Sequence, residues 1–313
     1  DENDLFVKAK YHDDVRELGA LPDYDHKGLL YRYNLRDFLI SRMDREELMQ
    51  GSLKFRVAKY AEVEPGLRHR TIGFYDNYQF GSKNDRSVIG IDGFSSTEFF
   101  VKLRYAFREK YIKSIFGKES LGSKYPIVWM NYTHGTDIFN GQLSFQKYDM
   151  QLQKSFHTKY TGSTSLLVRA GAASANIPLS LQYSGFGSHQ GFGIACPGTF
   201  NTMKVNEFAA NRFTSIHLEH DFKKHLFRSK YFQPSIMLTS SAIWGSWDNQ
   251  EQHFNLSYKT LEKGYFESGL LIRNIIKGSF AGTGVGFYYR YGPYSLESFK
   301  KNLTIKLVVA LGI

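Results

Sequence analysis

Four groups of residues have types and spacings that could do chemistry. His217, Glu219 and Asp221 alternate through Thr214–Phe222, with His220 between them. Alternation places the first three on one face of a strand. A metal site needs at least three ligands at bonding distance. Residues two apart on a strand lie roughly 6.6 Å from each other, so neighbouring strands would have to contribute. The simpler expectation is a polar ladder that pairs with Lys and Arg. Gly282, Gly284 and Gly286 invite comparison with a phosphate loop, but their spacing is not that of a dinucleotide fingerprint and no helical pattern follows. Small residues in a curved strand are expected instead. Ser184 and Ser188 sit in a Gly-rich stretch without the Gly-x-Ser-x-Gly arrangement of a nucleophile elbow. Glu207 and Arg212 flank the end of a long irregular stretch. Glu207 is expected to tether that stretch to an inward arginine such as Arg104 or Arg169, since charge-assisted pairing is strong.

The elements that carry these residues follow a period of two. In Ser96–Lys110, Phe99, Val101, Leu103, Tyr105 and Phe107 fall on one face, while Glu98, Lys102, Arg104, Arg108 and Lys110 fall on the other. A helix would mix the two sets; a strand separates them. The same split sets Leu29, Tyr31, Tyr33 and Leu35 against Arg32, Asn34 and Arg36. It sets Leu53, Phe55 and Val57 against Lys54 and Arg56, and Leu303, Ile305, Leu307, Val309 and Leu311 against Thr304 and Lys306. The pattern predicts thirteen strands. They run over Leu5–His12, Gly28–Phe38, Ser52–Val63, His69–Phe80, Ser96–Glu109, Pro126–His134, Leu143–Phe156, Thr164–Ala172, Arg212–Phe222, Pro234–Trp244, Gly264–Arg273, Gly284–Tyr291 and Leu303–Ile313. Many have the roughly 9–11 residues with which a tilted strand crosses a bilayer. Residues 176–211 break the alternation and read as a long loop that caps the sheet or folds inside it. A loop of that length is uncommon unless functional.

Composition narrows the class. Tyr at 21, Phe at 26 and Pro at only 7 suit an all-β chain. No run of about 18 apolar residues offers a transmembrane helix. The mean hydropathy of −0.38 is compatible with a membrane barrel, whose lipid-facing and lumen-facing residues alternate. A soluble β-sandwich is the competitor, but its core would not accept Lys102, Arg104 and Arg108 pointing inward. The sequence therefore predicts an antiparallel transmembrane β-barrel with a long inward loop. A single Cys196 excludes an intrachain disulfide or a cysteine metal cluster. The opening DENDLF has no signal-peptide pattern, so any leader is expected to have been removed. The net charge of +10 is distributed along strands and turns rather than in a nucleic-acid stripe, so nucleic acid is not an expected partner. Trp129, Trp244, Tyr289 and Tyr291 lie near predicted strand ends and are expected in the aromatic girdles of a membrane interface.

The segments DDVRELG (Asp13–Gly19), LRYAFREKY (Leu103–Tyr111), the strand ending in NYTHG and above all FNTMKVNEFAANRFTSIHLEHDF (Phe200–Phe222) carry a resemblance. EKGYFESGLLIRN (Glu262–Asn274) and VGFYYRYGPYSL (Val285–Leu296) extend it. The chain resembles the barrel portion of a family of Bacteroidetes outer-membrane proteins of unknown function. These place a carboxypeptidase-regulatory-like β-domain before a barrel related to the BamA/TamA-type assembly factors. The resemblance implies a sixteen-stranded barrel with five strands after the inward loop. Five predicted strands follow residues 176–211. The N-terminal periplasmic domain and the first three strands are thus expected outside residues 1–313; a complete barrel of twelve or fourteen strands is the alternative. Assembly factors carry a Val-Arg-Gly-aromatic motif at the loop tip. Here Phe200, Asn201, Met203, Asn206, Glu207 and Phe208 stand in its place, which weakens any transfer of insertase activity.

The resulting expectation is an integral outer-membrane protein without enzymatic activity, cofactor or metal. It would be a structural or accessory subunit of an assembly or transport complex, meeting lipid, lipopolysaccharide and other outer-membrane or periplasmic proteins. A pore for an anionic solute is the alternative, and a lumenal hydrolase the weaker one.

Overall fold

The computed structural model describes all residues except 1–4, 23, 25–35, 37–38, 75–76, 82–91, 115–116, 192, 224, 227–233, 278–280 and 312–313. Its strands are β1 (Phe6–Glu17), β2 (Met43–Ala58), β3 (Ala61–Gly73), β4 (Gln79–Phe80), β5 (Gly93–Ala106), β6 (Lys110–Ser114) and β7 (Gly117–Gly122). There follow β8 (Ile127–Thr136), β9 (Phe145–Thr158), β10 (Gly162–Ala173), β11 (Gly187–His189), β12 (Gly193–Ile194) and β13 (Phe200–Lys204). The last are β14 (Arg212–Asp221), β15 (Ser235–Ser246), β16 (His253–Phe254), β17 (Tyr265–Lys277), β18 (Ala281–Tyr291) and β19 (Leu303–Leu311). No helix among the described residues is long and apolar enough to cross a membrane.

One thirteen-stranded sheet of barrel type dominates, in the order β1-β2-β3-β5-β8-β9-β10-β14-β15-β17-β18-β19-β12. Neighbours along the chain pair antiparallel; β12, from the long loop, adds in parallel to β19 at Lys306 and Leu307. The strand count agrees with the sequence expectation, but the membership differs. The predicted strand Ser52–Val63 is the end of β2 and the start of β3, joined by a two-residue turn at 59–60. The predicted strand His69–Phe80 ends at Gly73, and Gln79–Phe80 pairs instead with His253–Phe254. Gly28–Phe38 lies almost entirely outside the described residues.

The two faces divide as the alternation requires. On β5, Phe99 and Tyr105 are exposed on the outer side, while Glu98 and Phe100 are fully buried on the inner side. Met49 and Leu53 on β2, Leu67 on β3, Met130 on β8, Met150 on β9, Ile216 and Leu218 on β14, and Ile305 on β19 are likewise exposed apolar side chains on the outside. A water-soluble sandwich would show the reverse, since apolar side chains are then collected in the core.

The connections after β1, β3, β8, β10, β15 and β18 leave from one rim. The opposite rim includes the short turns 59–60 and 159–161. At the loop-bearing rim a compact apolar cap forms from Leu18, Tyr78, Phe80, Leu179, Ala209 and Trp247. Below it lies the largest core cluster, in which Ile177, Leu181, Tyr183, Phe186, Phe200, Met203 and Phe208 from the loop pack on Phe213, Ile243 and Tyr265 of the wall.

Candidate functional site: the inward loop and the charged chamber

The loop between β10 and β14 is held by charged groups on the wall. Its β13 segment presents backbone N–H groups to Glu267 of β17. Asn201 N donates to Oε1 at 2.9 Å, Thr202 N to Oε2 at 2.6 Å, and Thr202 Oγ1 also donates to Oε2 at 2.5 Å. Lys306 of β19, fully buried, donates to Ser188 O at 2.7 Å and to Ser188 Oγ at 3.1 Å. Arg169 of β10 donates to Gly198 O at 2.7 Å. These are charge-assisted bonds in a water-poor setting, the stronger class of hydrogen bond. Close approach matters too. Gly171 of β10 faces the Tyr183 ring, where a Cβ would lie 2.6 Å from ring carbon. Gly19 has φ +64 and accepts Ser184 N at 2.8 Å, a conformation and a proximity that favour glycine.

Glu207 forms the expected kind of tether with different partners. It accepts from Arg290 of β18 at 3.2 Å and from Lys259 at 3.0 Å. Burial raises its pKa, but Arg290 and Lys259 outweigh this and hold the carboxyl below the usual glutamate value. Arg104 pairs instead with Glu109 at 2.5 Å. Arg169 serves the loop at Gly198 and accepts no help from Glu207, bonding Gln151 Oε1 at 2.9 Å on its other side. Arg212 points outward at the rim and pairs with Asp248 at 2.5 Å. Phe200, Met203 and Phe208 are fully buried; Phe200 lies against His217 and Tyr265. Asn201 also bonds Cys196 through its side chain, and Asn206 occupies a positive-φ turn at φ 55.

His217 donates or accepts at Ser241 Oγ, 2.9 Å away, and Asp221 pairs with Arg273. Glu219 shares their strand face but not one site with them. No group of three or more His, Cys, Asp or Glu among the described residues could hold a metal ion. Gly282, Gly284 and Gly286 lie along β18 and build no phosphate loop. Of the four candidate girdle residues, Trp244, Tyr289 and Tyr291 are on the outer face near the loop-bearing rim, with Phe266 against Trp244 and Tyr291 and Phe299 against Tyr289. Trp129 does not join them. It is buried on the inner face, between Tyr24 and the Arg104 guanidinium.

The loop fills the half of the interior walled by β14 to β19. The other half is a polar chamber of about 1170 Å³ along β1, β2, β3, β5, β8 and the start of β9. An ion ladder crosses its wall: Arg16 to Glu46 at 3.0 Å, Glu46 to Arg70 at 3.0 Å, Arg70 to Glu98 at 2.9 Å and Glu98 to Arg68 at 2.5 Å. Sequence reasoning missed Glu267, Arg290 and Lys306. Each is a charged residue on the inner face of a strand otherwise rich in apolar or aromatic residues, which is the signal that could have marked them.

Residues 67–230 match the family of unknown function described as the DUF5686 C-terminal domain. That stretch runs from β3 through the whole inward loop to the residues after β14 and is more than half of the chain. The chain belongs to that family. Among solved structures it is similar to BamA from Haemophilus ducreyi lacking POTRA domains 1-3, with a TM-score of 0.53 and 10% identity. The likeness covers 98% of this chain and 59% of that one, so the chain spans about three-fifths of the BamA structure. At this identity the shared property is the barrel fold. No curated protein matches the chain. The family match thus covers the loop and its β10 and β14 flanks, while the clamp residues Glu267, Arg290 and Lys306 lie beyond it.

Proposed function

We propose that this family member is an integral outer-membrane β-barrel whose lumen is plugged by its own loop. It acts as a structural or accessory subunit of a membrane assembly or transport complex and anchors a periplasmic domain. The observation that carries this reading is the clamp of Glu267, Lys306, Arg290 and Arg169 on residues 187–208, which fills half of the interior. An outward face of exposed Phe, Leu, Met and Ile suits hydrocarbon, and the two longest connections, 18–42 and 174–211, both leave from the loop-bearing rim, which suits the outer end. Lipid and lipopolysaccharide are then the surroundings, and other envelope proteins the partners. Among the described residues β1 pairs only with β2, which supports closure by further strands, as the sixteen-strand resemblance implies. The same resemblance supports a Bacteroidetes-type protein with a small β-domain ahead of the barrel. The reading assigns no catalysis.

Single-channel recording of the purified protein in planar bilayers tests it. A plugged lumen gives no steady current, whereas a steady conductance that scales with salt contradicts the plug. A second reading, a path for anions, draws on the excess of basic residues in the chamber and predicts that current together with anion selectivity.

A further inference from the structure

We propose that the chamber beside the plug is a dead-end binding site for a water-borne, polyhydroxylated anion, an acidic saccharide by chemical class. The proposal rests on the plugged-lumen reading for its closed end. Residues 20–22 and 180–181 form that end, beneath the apolar cap. Among the described residues the lining includes none from the connections of the opposite rim, and ligand enters from that side.

Size, charge and unfinished hydrogen bonding point to the ligand. The volume of about 1170 Å³ would hold several sugar rings; small-molecule pockets commonly run to roughly 1,000 Å³. Among the described residues nine Lys or Arg and six Asp or Glu line it, an excess of three positive charges. The ladder from Arg16 to Arg68 uses cations and carboxylates up against one another. On β1, Lys10 lines the chamber and is exposed within it. An apolar ligand would strip water from this lining without replacing its hydrogen bonds, at a large cost. A simple anion would meet the cations alone, whereas the carboxylates, already paired with Arg and Lys, keep further acceptor lone pairs. A ligand with both hydroxyls and anionic groups meets both needs, since carboxylates accept from hydroxyls while ammonium and guanidinium groups donate to the anion.

Two buried atoms sharpen this. Tyr24 is 8% exposed, its ring against Trp129, and its hydroxyl has no hydrogen-bond partner. Asn131 donates through Nδ2 to Asp149 Oδ2 at 3.1 Å, but its Oδ1 accepts from nothing. Both residues line the chamber. Buried polar atoms are nearly always bonded, so such a pair wants a partner. Tyr24 supplies a donor for an anionic oxygen and Asn131 an acceptor for a hydroxyl. The chamber lies on the inner face of the sheet, so the ligand comes through water and not from the bilayer.

The test is isothermal titration of the full chain in detergent with trigalacturonic acid, set beside its fully methyl-esterified form. The account predicts saturable binding of the acid, weakened as salt rises, and no binding of the ester. Lys10→Glu, at an exposed position, should weaken the acid by about tenfold through reversal of one nearby charge, and Tyr24→Phe should weaken it while leaving thermal unfolding unchanged. Absence of binding, equal binding of the ester, or wild-type affinity in both variants overturns the site. Steady conductance together with acid-specific binding would remove the plug and keep the site; silent bilayers without binding would do the reverse.

Discussion

The two halves of the interior are walled by strands of the same alternating kind, yet they solve the inside of a barrel differently. Toward β14–β19 the inner face carries Phe213, Ile243, Tyr265, Leu271, Tyr288 and Val308, and the loop completes a packed core. Its charges are few, and Glu267 and Lys306 each go to loop backbone. Toward β1–β5 the inner face carries Arg70, Glu46, Glu98 and Arg68, which neutralise one another across strands and leave a chamber. The first half gains from burial and from defined hydrogen bonds, the second from a polar network that tolerates water. Rigidity therefore belongs to the plugged half, and any exchange with solutes to the other.

Breaking the packed half should have the largest effect. Phe200→Ala removes a ring held between His217 and Tyr265, and a buried aromatic truncation of this kind costs about 4 kcal/mol. A large drop in the temperature of heat-modifiable gel mobility is the expected result, and an unchanged midpoint would mean that the loop is not packed as described.

Acid should loosen the cap that roofs both halves. His253 stacks on Tyr78 and lies near Trp247, and burial pulls its pKa down to about 4. Tyr78 Oη accepts Leu179 N at 3.0 Å and lies 2.7 Å from His253 Nδ1, which assigns the phenol proton to that nitrogen. A neutral imidazole is thus built into the fold. With a folded value below the ordinary 6.5 or so, its contribution is fully present above that value. It is lost as pH falls through the interval down to about 4, amounting to about 3 kcal/mol. Thermal unfolding against pH should show this loss, and His253→Phe should flatten the profile between those limits.

Glu267→Gln tests the clamp more gently. The amide keeps one acceptor but loses the charge that serves two backbone N–H groups and a hydroxyl, a cost of about 2 kcal/mol. Faster proteolysis within residues 187–208 should accompany it. Charge pairs on the outer surface make the control. Arg45 and Asp13 pair at 2.6 Å with most of the arginine exposed, and Arg45→Ala should move unfolding by less than about 0.5 kcal/mol.

The strands were readable because alternation assigns each residue to a face without any knowledge of its partner. Phe99 and Glu98, Ile305 and Lys306 fall where period two puts them. The turn at 59–60 was not, because Lys59-Tyr60 carries no Gly, Asn, Asp or Pro and the alternation runs straight through it. Trp129 falls on the inner face although its place near a strand end suggests a girdle, because it shares parity with Asn131, Thr133 and Gly135 rather than with the outward Met130. The loop was visible as a break in rhythm, but its partners were not. Glu207 could have met any inward arginine, and the choice of Arg290 over Arg104 or Arg169 depends on how the loop enters the sheet. Tyr78 and His253 are 175 positions apart, and nothing local in either neighbourhood announces the cap.

The inside and outside of the sheet are the assignment on which everything else depends. Single spin labels at positions 99 to 104, placed one at a time in a Cys196→Ser background and reconstituted in liposomes, read it directly through collisions with oxygen in the hydrocarbon and with a nickel chelate in water. The account predicts a strict alternation, with labels at 99, 101 and 103 meeting oxygen and labels at 102 and 104 meeting nickel. Labels at 99, 101 and 103 that meet neither reagent, or that meet nickel, would contradict it.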